Sequence, residues 1–373
     1  MTLSAAKTSK SSKVSKVSKT KARADHEALR SALWPEGTPV PTHDLCCRHC
    51  GRENEVEISS AALTPEACTC GACGGALFLS ADEPMTALPA AAYGHPLDAR
   101  SLSALKSVPG FDRAVKWTME QLLDRSMRLQ LMGSSIRCGE DQLPELHALL
   151  ERARHRLGLE WPAALYVTQS PLLNAFTAGV EERVVVVYSS MVNELDDAAL
   201  LALFGHELGH QHAEHGLYRT VAALLMTGGS LIGPLRLFSL PLQLAMYKWS
   251  RCAELTCDRA GLLASRDLGA SIRLLVALTA GTATAAGSTT RARGPVALAA
   301  FVRQARDLAK MEGASVMDGL VAALLTMRQS HPFPAWRLMH LLQWVESGAY
   351  LELLAGRWPG APARRRREGR TAA

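Results

Sequence analysis

Apolar residues recur along this chain in distinct rhythms. From Phe111 to Leu131 and from Leu143 to Leu157 they return at three- and four-residue spacing, which predicts amphipathic helices. Leu165–Thr168 and Val184–Tyr188 are short and rich in β-branched and aromatic residues, which predicts strands. The second opens with four Val in a row, as suits a buried position. Residues 196–215 read as a long helix, opened by Asp196 and Asp197 where acidic side chains suit a helix N-terminus.

Other stretches break the rhythm. Residues 40–80 are Cys- and Gly-rich, with Val56, Ile58, Leu77 and Leu79 as strand candidates. Pro84, Pro89, Gly94 and Pro96 mark 81–97 as a linker. In residues 1–30, Lys7, Lys10, Lys13, Lys16 and Lys19 recur every third position, a period of neither helix nor strand. That segment predicts a disordered basic tail. The expected organisation is a tail over 1–30, a small Cys module over 40–80, a linker over 81–97, a main domain over 98–355 and an Arg-rich disordered tail over 356–373. The fold class is α+β and mostly helical.

The segment 220–247 is the most apolar of the chain and raises the question of a membrane. Arg236 splits it into uncharged runs over 220–235 and 237–247. Both fall short of the roughly 20 residues that a spanning helix needs. Buried core helices account for it, and so does a hairpin on or in a membrane surface. Membrane association through 220–247 therefore stays open.

Length and composition add bounds. The 373 residues suit one large domain with a small one, and 48% hydrophobic with 20% charged residues permits a buried core. Seven Lys/Arg in 1–23, and six Arg against one Glu in 357–373, put +12 in the tails. The net charge of +6 then leaves −6 between them, so nucleic acid is not indicated as a partner. No apolar signal segment follows the basic N-terminus. A cytoplasmic, reducing compartment is expected rather than secretion.

The candidate chemistry starts at His206-Glu207-Leu208-Gly209-His210. On a helix, positions i and i+4 share a face, so both imidazoles reach one zinc ion. Glu207 is placed to take a proton from a metal-activated water and pass it to the leaving amine. A third His at the offset of the longer motif is missing, because position 213 is Ala and 216 is Gly. His212 and His215 read as solvated helix residues. Downstream, Glu254 and Asp258 also share a helix face. Alone they would read as a surface pair with Arg251 and Arg259 as partners. Beside the first motif, Glu254 reads as the third ligand, and Asp258 as acceptor for the far nitrogen of a liganding His, His206 first.

These residues carry a resemblance. His206-Glu-Leu-Gly-His210 and Glu254-Leu-Thr-Cys-Asp258 resemble the signature of the M48 peptidases, the family of the CAAX prenyl protease and the heat-shock protease of bacterial membranes. Asn174-Ala-Phe-Thr-Ala-Gly179, the strand Val184–Val187 and His331-Pro-Phe-Pro-Ala-Trp-Arg337 agree with it, over about residues 95–345. The resemblance implies a gluzincin domain with a small sheet beside the zinc helix, and zinc-dependent endopeptidase activity on a protein or peptide substrate. It implies a substrate laid along an edge strand, with Asn174, Ala175 and Phe176 as substrate-binding candidates. It implies a catalytic role for His331 at the oxyanion, against a purely structural His before Pro332, and an Arg337 paired with a core acid. Many members of the family carry clear spanning helices, which this chain lacks.

Cys47-Arg-His-Cys50-Gly51 and Cys70-Gly-Ala-Cys73-Gly74 have the spacing of the two knuckles of a zinc ribbon. Four thiolates would close the shell of a second, structural zinc, with each Gly letting the backbone turn its amides toward the sulfurs. Cys46 and Cys68 read as spare thiols and His49 as a surface residue. A ribbon suits a protein partner. The competing expectation is thus a ribbon-based binding or adaptor protein on an inactive peptidase fold. The presence of all three ligands and of Glu207 favours the metalloendopeptidase.

Overall fold

A computed structural model describes residues 27–110, 113, 124–178, 182–216, 218–219, 240–281, 298–314 and 333–361. The Cys module opens with a hairpin of β1 (Thr42–Cys46) and β2 (Glu53–Glu57), in antiparallel register with Cys46 opposite Glu53. Helix α1 (Pro96–Lys106), strand β3 (Ser135–Arg137), helix α2 (Pro144–Arg156) and strand β4 (Ala164–Thr168) lie further along the chain. Next come β5 (Ala175–Ala178), β6 (Val184–Tyr188) and α3 (Asp197–His212). Among the described residues the C-terminal part is helical: α4 (Leu240–Ser265), α5 (Leu268–Ala280), α6 (Leu298–Ala314), α7 (Pro334–Glu346) and α8 (Ala349–Leu354). The chain is therefore mostly helical with small sheets, as its patterning predicts.

The four-stranded sheet has the order β3-β4-β6-β5. β6 is central, parallel to β4 and antiparallel to β5, and Val185, Val186 and Val187 are fully buried. Covering on both faces is what allows four consecutive Val. β5 is left at the edge, beside the C-terminal turn of α3, where Gln211 donates to Thr177 Oγ1 and to the Val184 carbonyl at 3.1 Å.

Helix α3 is capped by Asp196, whose carboxylate accepts from the Ala199 amide at 2.8 Å. It is buried continuously from Ala199 to His210. Its packing against α4 is set by small residues. A Cβ at Gly205 would stand 2.3 Å from Ala264 Cβ, one at Gly209 2.6 Å from Ala260 Cβ, and one at Gly261 2.6 Å from the Ala202 carbonyl. The two helices approach closely because these positions carry no side chain.

The structure differs from the sequence expectations in several places. Residues 27–33, partly assigned to the tail, form a helix that buries Leu29 and Leu33. The segment 81–97, expected as a linker, sends Met85, Leu88 and Tyr93 into the core. Pro and Gly mark irregular backbone, and that backbone here is packed rather than solvated. Ile58 begins a short helix, Ile58–Leu63, instead of continuing a strand. Leu77 and Leu79 are buried outside any strand, the second knuckle closing by the single bridge Thr69–Ala76. Of the C-terminal tail, Trp358 packs against the core and Arg357 pairs with Glu352 at 3.3 Å.

The Cys module shares one hydrophobic core with the helices: Leu45, Ile58 and Phe78 cluster with Leu342, Tyr350 and Leu354. The Leu79 amide also donates to the Leu354 carbonyl at 2.7 Å. Most of the apolar segment 220–247 lies outside the described residues, and 240–247 forms the start of α4. Among the described residues no helix is long and apolar enough to cross a membrane.

Candidate active site and metal centres

The close approach of α3 and α4 brings His206, His210 and Glu254 together in the interior, at 4%, 0% and 0% exposure. The Nε2 atoms of the two histidines lie 3.2 Å apart. Glu254 Oε2 is 3.5 Å from His206 Nε2, and Oε1 is 3.4 Å from His210 Nε2. A tetrahedral zinc at about 2.0–2.1 Å from each ligand sets ligand–ligand edges of about 3.3–3.4 Å. Each histidine faces a different oxygen of the Glu254 carboxylate at close to that distance, the three ligand atoms lie within 4.8 Å of one another, and nitrogen with carboxylate oxygen is a donor set that zinc takes. Glu207, between the two histidines on α3, is 3% exposed.

Asp258 lies where its spacing from Glu254 predicts. His206 Nδ1 donates to Asp258 Oδ1 at 3.0 Å, which turns Nε2 toward Glu254. Arg337, 2% exposed on α7, clamps Asp258 by Nε at 2.8 Å and Nη2 at 2.5 Å, and reaches Glu254 Oε2 with Nη1 at 3.1 Å. Arg219 adds Nη2 at 3.3 Å from Glu254 Oε1. Glu254 and Asp258 are thus buried acids held by Arg337 and Arg219. Arg259 instead donates to the Tyr93 and Gly94 carbonyls.

Burial opposes ionisation of Asp258, but the charge and hydrogen bonds of Arg337 outweigh it and hold the carboxyl below its usual range. Burial likewise opposes a charged His206, yet Asp258 and Glu254 raise its pKa to about 9. Burial, then the charge of Arg219, push His210 the other way.

Two histidines correct the sequence reading. His215, expected in solvent, is 1% exposed, and His212 is half-buried with Nδ1 2.8 Å from the Tyr93 hydroxyl. The helical wheel fails for His215 because α3 ends before it. Glu214 takes a left-handed φ of 57°. The His215 amide then reaches the His210 carbonyl at 2.8 Å, and the Glu214 amide the Gln211 carbonyl at 3.2 Å. This pair of bonds is a Schellman motif, which folds His215 back against α3. The sequence signal that was missed is the position of His215 one turn past the helix end.

Asn174 is half-buried, and its carbonyl accepts from the Tyr188 amide at 3.1 Å. Ala175 faces the main core, whereas Phe176 packs on the opposite face of the sheet, edge-on to Tyr188. His331 lies outside the described residues.

The second constellation is Cys47, Cys50, Cys70 and Cys73, whose sulfurs all lie within 4.8 Å of one another. Cys47 to Cys73 is 3.6 Å and Cys50 to Cys70 is 3.7 Å. Zinc at about 2.3 Å from four sulfurs gives edges of about 3.8 Å. The two knuckles are alike. Gly51 and Gly74 have φ of 78° and 68°, and each amide bonds the carbonyl of its first Cys at 2.9 Å. The His49 amide points at Cys47 Sγ (3.3 Å) and the Ala72 amide at Cys70 Sγ (3.4 Å). The amides of Cys73 and Ala72 lower the pKa of Cys70 to about 6. Four thiolates this close repel one another unless a cation lies between them. Cys46 and His49 are exposed and Cys68 is half-buried, outside the cluster.

The model of peptidase family M48 matches residues 140–345, over half of the chain. The chain is 32% identical over 265 residues to the plastoglobule-localized metallopeptidase 48, chloroplastic, of Arabidopsis thaliana, an alignment covering 70% of this chain and 74% of that protein. It is 33% identical over 99 residues to the protease HtpX homolog of Salinibacter ruber, covering 26% of this chain and 36% of that one. No solved structure matches the chain.

Proposed function

The chain belongs to peptidase family M48, whose metallopeptidases use zinc, and on that footing we propose that it is a zinc metalloendopeptidase acting on protein or peptide substrates. The observation that carries the finer assignment is the buried cluster of His206, His210 and Glu254, whose ligand atoms lie within 4.8 Å of one another, with the two Nε2 atoms 3.2 Å apart, close to the edge of a tetrahedral zinc site. Zinc held there supplies Lewis acidity, toward a water and toward the scissile carbonyl.

The remaining work falls to the chain's own side chains. Glu207 takes the proton of the attacking water and returns it to the departing amine. Asp258, fixed by Arg337, accepts from His206 Nδ1 and so fixes that ring's tautomer and direction. β5 offers the outer edge of the sheet beside α3, so an extended peptide gains backbone hydrogen bonds along Asn174, Ala175 and Phe176. The four Cys hold a structural zinc. Their module shares its core with the peptidase helices, which supports a stabilising role over that of a detached adaptor.

The test is Glu207→Gln beside the wild type, scored by zinc per chain and casein cleavage. Loss of the base lowers cleavage about 10²–10⁴-fold while both zinc ions stay. Undiminished cleavage by the variant removes Glu207 from the mechanism. A zinc-loaded wild type inert toward every unfolded substrate overturns the peptidase assignment.

A further inference from the structure

We infer that His215 is a positioning residue of the zinc site, linking the outer nitrogen of His210 to the buried carboxylate of Asp98; this rests on the zinc assignment above. His210 Nδ1 and His215 Nδ1 are 3.3 Å apart, and His215 Nε2 lies 3.0 Å from Asp98 Oδ2. All three residues are at most 5% exposed, so these bonds are made away from bulk solvent.

The protons have one consistent arrangement. His210 Nε2 faces the other two ligands, so its lone pair is committed there and its proton sits on Nδ1. His210 Nδ1 therefore donates, and His215 Nδ1 accepts. That leaves the His215 proton on Nε2, where Asp98 accepts it. Asp98 is itself held by the Trp249 indole at 3.0 Å and the Thr256 hydroxyl at 2.6 Å, and the His95 amide donates to Thr256 Oγ1 at 3.0 Å. Cys257 Sγ, 3.7 Å from His215 Nδ1, lines the same side.

The two zinc histidines are thus steered differently. His206 meets its carboxylate directly, and that carboxylate is neutralised by Arg337. His210 meets its carboxylate through an intervening imidazole. The backbone serves this purpose at Glu214, a non-glycine residue in the left-handed region that Gly normally fills at a helix end. Only that turn points His215 back at His210 rather than onward along the helix direction.

The experiment uses the full chain with cobalt(II) or zinc. Cobalt at the nitrogen–oxygen site and at the four-sulfur site absorb differently, so each site is followed separately. His215→Phe keeps an aromatic ring but deletes both nitrogens. It should weaken metal binding at the His206–His210–Glu254 site about 10–100-fold and alter the cobalt spectrum there, leaving the four-sulfur site unchanged. His215→Gln, whose amide both accepts from His210 and donates to Asp98, should recover most of that affinity. Equal affinity in the wild type and His215→Phe overturns the inference, as does equal loss in the Phe and Gln variants.

Nitrogen-15 NMR of the zinc-loaded wild type tests it without any substitution. His215 should carry its proton on Nε2, and finding it on Nδ1 overturns the inference. A third metal per chain, lost in His215→Phe, also overturns it, in favour of a metal shared by His210, His215 and Cys257. If the wild type binds no metal at the His206–His210–Glu254 site, it is the zinc assignment that has failed.

Discussion

Gly209→Ala tests whether the small residues between α3 and α4 set the metal geometry. The added methyl would stand 2.6 Å from Ala260 Cβ, where carbon atoms rest at about 3.5–4.0 Å. Neither methyl can rotate away, so the helices must part by about 0.9 Å or more. The overpacking costs about 1–3 kcal/mol, and the better helix propensity of Ala returns about 1 kcal/mol. The net loss of stability is therefore modest, about 0–2 kcal/mol. The metal site is less tolerant. Glu254 sits 3.4–3.5 Å from the two Nε2 atoms, and an outward shift of about 0.9 Å far exceeds the roughly 0.2 Å that a zinc shell accommodates. Competition against a chromophoric chelator should show zinc at this site weakened at least 10-fold, with the four-sulfur site untouched. Adding Ala260→Gly removes the opposing methyl and should restore the affinity in a double-mutant cycle. Unchanged zinc affinity in Gly209→Ala, or no recovery in the double variant, would refute the idea that helix separation governs the site.

Other outcomes follow from the same geometry. Arg337→Leu strips the cation from two buried carboxylates and should cost about 3–5 kcal/mol in urea unfolding; a loss under 1 kcal/mol contradicts the clamp. In chelator-treated protein, the raised pKa of His206 contributes stability that is complete below about 6.5 and is lost as pH rises through about 9. The melting temperature should therefore fall over that window without metal and fall less with zinc, which replaces the proton. Identical profiles with and without zinc rule this out. Cys70→Ser should remove one zinc per chain and lower the melting temperature of the whole molecule, because the ribbon shares its core; two separate unfolding transitions in the wild type would argue against that shared core.

Much of the site was legible because its chemistry is local. His206 and His210 share a face by helical period alone, and each Cys pair closes its own turn. Glu254 and Asp258 are two further residues at helical spacing, yet nothing local says that they face α3. Family resemblance supplied that link. His215 and Asp98 escaped notice for a physical reason. The first depends on a left-handed residue at Glu214, which the sequence does not announce, and the second lies more than a hundred residues away on α1.

The sequence by itself determined the helix that carries His206 and His210, the strands β4 and β6, the pairing of the knuckle cysteines and the family resemblance, because periodicity, turn residues and motif spacing act over a few positions. Tertiary structure alone decided that 81–97 is packed rather than a linker, and that the ribbon joins the main core. It also brought Arg337 to two buried acids and a second histidine behind the first. These outcomes depend on which faces meet, and that is fixed by long-range burial and by glycines that let two helices touch.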